Sequence, residues 1–282
     1  MFYSVVAMSR KSMVYPELEG KRVLIAGLKP GIDAGADVVR GFAAQGCRLV
    51  LHFDLPHGAR NDELFALAEE VRSQSLGLRV FSGPLDSDIG VARMASAAVN
   101  AFGSIDAVVT LSQLAAGPHH LESDDDFDAA VAQTLRRAYS ISRVAANRMR
   151  TTMASGVVIN LLAGPDAAAD RKDTLLFSLV RAELAAMTRH EAQTWASQGI
   201  RFAALAPEAS LLGSDGDIGD VKDAASTAVF LASNAGASIN GLTLATLGAG
   251  TQTACKESPQ AILPGAPAGV SLSECACAEP HL

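Results

Sequence analysis

The chain has 282 residues and a formal net charge of −7, with 49% apolar and 19% charged residues. That balance supports a well-buried core and excludes a disordered chain. It carries no basic excess for binding nucleic acid or an anionic membrane surface, and no apolar run is long enough to span a bilayer.

The first residues, MFYSVVAMSRKSMVYPE, hold only a short apolar stretch, and the basic residues follow it. No small-residue cleavage site comes next, so the segment does not read as a signal peptide. Met8 and Met13 are alternative starts. Residues 1–19 are read as an N-terminal extension, and the protein as soluble and cytoplasmic.

From residue 20 onward, short apolar runs alternate with longer helical patterns. Strands are expected at 22–27, 48–53, 78–82, 106–111, 156–162, 200–206 and 241–247. Most are apolar at consecutive positions, the pattern of strands covered by helices on both faces. Phe127, Val131, Leu135 and Ala138 fall at helical spacing, as do Leu176, Val180, Leu184 and Met187. The run from Ser123 to Asp128 reads as an acidic helix opening. Gly46 and Gly199 stand where helix-ending glycines belong. These repeats predict a single α/β domain over 20–250. It is a Rossmann-type, doubly wound, seven-stranded, mostly parallel sheet with helices on both faces. Residues 251–282 are rich in Pro, Ala, Gly, Ser and Cys without periodicity and are read as a flexible tail. Of the four cysteines, Cys47 lies in an apolar run and reads as a core thiol. Cys275 and Cys277 have no second ligand pair, so no metal site is assigned.

The first strand runs into Ala26-Gly27-Leu28-Lys29-Pro30-Gly31-Ile32-Asp33 ahead of a helix. A glycine turn there lets backbone approach a pyrophosphate at the helix N-terminus. Leu85-Asp86, Phe102-Gly103-Ser104-Ile105-Asp106, Gly199-Ile200-Arg201-Phe202, Ala206-Pro207 and Phe230-Leu231-Ala232-Ser233 follow in order. With Gly20-Lys21 before the first strand, this series resembles the short-chain dehydrogenase/reductase family over roughly residues 18–250. The resemblance implies NAD(P)-dependent oxidoreductase activity. It also implies cofactor contacts from Gly27 and Gly31, from Asp54 at the end of the second strand, and from Asp86.

The departures fall at the chemistry. The family's Asn, Ser, Tyr and Lys positions align to Thr134, Ala163, Phe177 and Arg181. No Tyr in the chain is followed four residues later by Lys, and Tyr139 reads as a core or interface residue. Phe177 has no proton to give, Ala163 cannot donate a hydrogen bond, and a guanidinium does not replace the lysine. The family's last loop glycine is Asp33, and its small-residue segment after the fourth strand is Thr110-Leu111-Ser112-Gln113. Both are expected to weaken NAD or NADP binding.

His119 and His120, on the ligand side of the sheet, are candidate substitutes for the missing acid–base groups. The expected function is that of a non-catalytic or strongly impaired family member. It would act as a partner or scaffold subunit in a homo- or hetero-oligomer of similar chains. The alternatives are an oxidoreductase using other acid–base residues and a small-molecule sensor using the former cofactor cleft.

Overall fold

The computed structural model describes residues 13–31, 33–113, 124–164, 171–207 and 221–246. Seven strands form one sheet: β1 Arg22–Leu28, β2 Arg48–Phe53, β3 Gly77–Ser82, β4 Ala107–Gln113, β5 Gly156–Ala163, β6 Ile200–Pro207 and β7 Leu242–Thr246. Six helices accompany them among the described residues: α1 Asp33–Ala43, α2 Asp62–Arg72, α3 Asp88–Phe102, α4 Asp124–Thr151, α5 Arg171–Trp195 and α6 Val221–Ala232.

The strand order is β3-β2-β1-β4-β5-β6-β7, and every pair is parallel. "Mostly parallel" therefore becomes all parallel among the described strands. The order reverses between β1 and β4. In sheets of this kind the crevice outside the carboxyl ends of those strands is where ligands bind.

The consecutive apolar runs are explained by burial on both faces. Val23 and Ile25 of β1 enter one cluster with Val38 and Phe42 of α1, Leu64 and Leu67 of α2, and Val229 of α6. Leu24 and Ala26, pointing the other way, join Met94 and Ala98 of α3 and Ile141 and Met149 of α4. A third cluster lies between α4, α5 and the strands β5 and β6, and includes Ala138, Leu162, Phe177 and Leu184. Each buried Leu, Val or Phe in these layers contributes on the order of 1.5–3 kcal/mol of transfer free energy.

Some boundaries shift. β4 starts at Ala107, one residue later than its apolar pattern implies, and runs on to Gln113, which pairs with Ala163. Asp106 is released from the strand to bond Arg22 through its side chain. Tyr139 is 38% exposed and lies against Arg143, so it is not a core residue. Tyr15 and Leu18, placed in the N-terminal extension, are buried against the first core cluster. Cys47 is buried, and burial pushes its thiol up to about 12, which makes it inert at neutral pH. Among the described residues no helix is long and apolar enough to cross a membrane.

Candidate functional site

The glycine turn leaves β1 and enters α1 at the crevice. Gly27 has φ 90°, and a Cβ there would lie 2.8 Å from the Leu111 carbonyl oxygen of β4. The first glycine is thus required twice over, by its left-handed backbone and by the close approach of a neighbouring strand. Gly31 has φ 73° with open space around it, so conformation alone requires it. Asp33 is the first residue of α1, and its side chain lies outside the described residues.

Asp54 follows β2 directly, and its carboxylate is already engaged. Arg137 Nη1 of α4 donates to Oδ2 at 2.6 Å, Lys29 Nζ of the glycine turn lies 3.3 Å from the same oxygen, and Leu85 N donates to Oδ1 at 3.1 Å. The Asp54 side chain is only 6% exposed. Arg137 also lines a recess of about 250 Å³ beside Leu85, Asp86 and Gln133. Asp86 also lines that recess and is itself exposed.

The segment after the fourth strand is more ordered than its degenerate motif implies. Thr110-Leu111-Ser112-Gln113 completes β4. The hydroxyls of Thr110 and Ser112 are buried without a hydrogen-bond partner. Thr110 pairs in register with Asn160 of β5, whose Oδ1 accepts from Ser142 Oγ of α4.

The structure places the four residues that the sequence reading aligns to the family tetrad as follows. Thr134 is buried and its hydroxyl donates to the Ala130 carbonyl one turn back, 2.9 Å away. That within-helix bond occupies the hydroxyl's one proton. Ala163 ends β5, half-exposed. Phe177 is fully buried and packs with Ala138, Leu162, Val180 and Ala206. Arg181 lies one turn further along α5, half-buried. Phe177 and Ala163 thus flank the same end of β5, but neither offers a proton or a hydrogen-bond donor to it. His119 and His120 lie outside the described residues.

Sequence reasoning passed over three residues here. Lys29 stood in the glycine turn with no role assigned to it, and the structure pairs it with Asp54. Arg137 gave no signal, because its partner lies 83 positions away. His52 is buried behind the crevice, and burial lowers its pKa to about 4, with Asp54 opposing that shift and Arg137 adding to it. Its Nδ1 has no hydrogen-bond partner.

A parallel sheet with this order, this glycine turn and this crevice defines a dinucleotide-type α/β protein. A family model described as enoyl-(acyl carrier protein) reductase matches residues 31–211. The chain belongs to the short-chain dehydrogenase/reductase family. No curated protein matches it.

Several solved structures share the fold. An NADH-dependent reductase, A1-R', solved in complex with NAD, has a TM-score of 0.68 at 23% identity, covering 83% of this chain and 98% of that one. A short-chain dehydrogenase from Mycobacterium smegmatis has a TM-score of 0.68 at 20% identity, covering 83% and 94%. A hydroxysteroid dehydrogenase from Escherichia coli has a TM-score of 0.67 at 20% identity, covering 83% and 97%.

Proposed function

We propose that this chain is a non-catalytic member of its oxidoreductase family that serves as a partner or scaffold subunit. The observation that carries the reading is Phe177. At the position of the family's proton donor stands a fully buried ring in an apolar cluster, with an alanine in place of the family's oxyanion-holding serine. Losing an acid–base group costs on the order of 10²–10⁴ in rate, and losing an oxyanion donor on the order of 10²–10³. Such groups act as a unit, so the two factors need not multiply.

The cofactor side points the same way. A ribose held by an acid at the end of β2 needs free carboxylate lone pairs, and those of Asp54 are engaged by Arg137, Lys29 and Leu85. With those partners in place, Asp54 does not fit a ribose diol. Apolar surface supports a partner role. Leu175 and Leu179 on α5 are 57% and 42% exposed, and Leu242 on β7 is 51% exposed.

The deciding experiment is a turnover assay of the purified chain with NADH and NADPH against a panel of aldehydes, ketones and enoyl thioesters, with the reverse direction run on alcohols. No cofactor consumption above background is expected, together with copurification of a second reductase-like chain. Consumption proportional to protein concentration would overturn the reading. A lone homo-oligomer would overturn its hetero-partner part.

A further inference from the structure

We propose that Arg137 decides what the crevice admits: by holding the Asp54 carboxylate from α4, it shuts the ribose position against nucleosides. In doubly wound sheets an acid about 20 residues beyond the glycine turn takes the ribose hydroxyls. Asp54 stands at that distance, at the end of the strand next to β1.

A carboxylate offers about four lone-pair directions on two oxygens. Here Oδ2 takes the Arg137 guanidinium at 2.6 Å and the Lys29 ammonium at 3.3 Å, and Oδ1 takes Leu85 N at 3.1 Å. With the side chain 6% exposed, a ribose diol can reach this acid only by displacing a partner.

Of those partners, Leu85 N is fixed backbone, and Lys29 is 42% exposed and at the longer distance. Arg137 is the one that fills space. Its side chain is 18% exposed and it lines the recess that also holds Leu85 and Asp86. Arg137 therefore both holds the acid and forms part of the wall of the neighbouring recess. Its charge-assisted bond is short, and separating a pair so buried weakens an incoming ligand by roughly 100-fold or more.

The device is independent of Phe177 and of turnover. It predicts that a nucleotide lacking nicotinamide is refused for the same reason as the whole cofactor.

Calorimetric titration with AMP and with ADP-ribose tests this on the wild-type chain, on Arg137→Ala and on the double variant Arg137→Ala/Asp54→Asn. Wild type is expected to give no saturable heat at about 1 mM ligand. Arg137→Ala is expected to bind at least roughly tenfold more tightly than that limit. The double variant is expected to lose the gain, because the freed carboxylate is what the ribose uses. Saturable AMP binding by wild type overturns the proposal, as does a folded Arg137→Ala that binds no better than wild type. If Arg137→Ala does not fold, Arg137→Gln replaces it, and the wild-type titration still decides. AMP binding by wild type without turnover would sink this proposal and leave the non-catalytic reading standing, whereas NAD(P)H turnover would sink both, because the cofactor would then have entered the crevice.

Discussion

Arg22 and Asp106 meet head to head where β1 pairs with β4. Arg22 Nε and Nη2 donate to the two carboxylate oxygens at 2.7 and 2.6 Å, and the Arg22 backbone N–H adds a bond of 2.8 Å to Oδ2. The pair ties together the strands on either side of the chain reversal, at the edge of the sheet opposite the crevice. Burial alone would raise the Asp106 pKa, but the hydrogen bonds and charge of Arg22 outweigh it and hold the carboxyl below its ordinary 3.8.

The sign follows from that depression. The stabilisation is present above the unfolded-state value and disappears as pH falls through the folded one. Asp106→Asn should cost about 1–2 kcal/mol at neutral pH, a charge-assisted pair discounted for the partial exposure of both side chains. Urea unfolding at neutral pH and near pH 3 checks this. The gap between wild type and variant should shrink in acid, and a gap of equal size at both would exclude the ion pair as its source.

His52 adds to the acid sensitivity by a different route. It is buried and neutral, and burial lowers its pKa from 6.5 to about 4. The unfolded chain binds this proton first, so the native state loses stability as pH falls from about 6.5 to about 4. A shift of that size is worth about 3 kcal/mol across the window. His52→Leu should therefore have a flatter stability profile than wild type over this range while remaining folded. Parallel profiles in denaturant titrations would show that His52 does not carry the acid sensitivity.

The fold was legible because burial on both faces leaves a mark in sequence. The runs at 22–27, 48–53 and 156–162 returned as β1, β2 and β5 to within a residue or two, since strands covered by helices on both faces are apolar at most consecutive positions. The glycine turn was legible for a similar reason, because Gly27 meets the Leu111 carbonyl. The site was legible only as a set of absences at Thr134, Ala163, Phe177 and Arg181. What occupies the crevice was not. The Arg137–Asp54 bond joins α4 to the end of β2 across 83 positions, and no local period or spacing encodes such a contact. The engagement of Asp54 by Arg137 and Lys29 depends on how α4 and the glycine turn pack around the end of β2.

The two turn glycines should respond differently to substitution. Gly27→Ala combines a left-handed backbone with a 2.8 Å approach to the Leu111 carbonyl, and both partners are backbone that cannot swing away. A loss of about 3 kcal/mol or more is expected, as for overpacking added to left-handed strain. Gly31→Ala meets nothing within 4 Å, so only the conformational term of about 1–2 kcal/mol applies, and Gly31→Asn should recover part of it. Thermal and urea unfolding of the three variants would test the ranking. Equal losses at the two positions would mean that β4 moves aside.

Phe177 gives the sharpest contrast between a packing residue and a lapsed catalytic one. Its ring is fully buried among Ala138, Leu162, Val180, Leu184 and Ala206. Phe177→Ala should cost about 3–5 kcal/mol by cavity formation. Phe177→Tyr is the more informative change, because it restores the family's hydroxyl without altering the ring. If the ring tip lies in apolar packing, the added hydroxyl finds no partner and the variant loses about 1–3 kcal/mol. It should also gain no NAD(P)H-dependent turnover, since Ala163 and the engaged Asp54 are unchanged. A Phe177→Tyr protein as stable as wild type would place the hydroxyl in water or against a donor. The ring would then border an open site, and the next variant to build would be Phe177→Tyr combined with Ala163→Ser and Arg181→Lys.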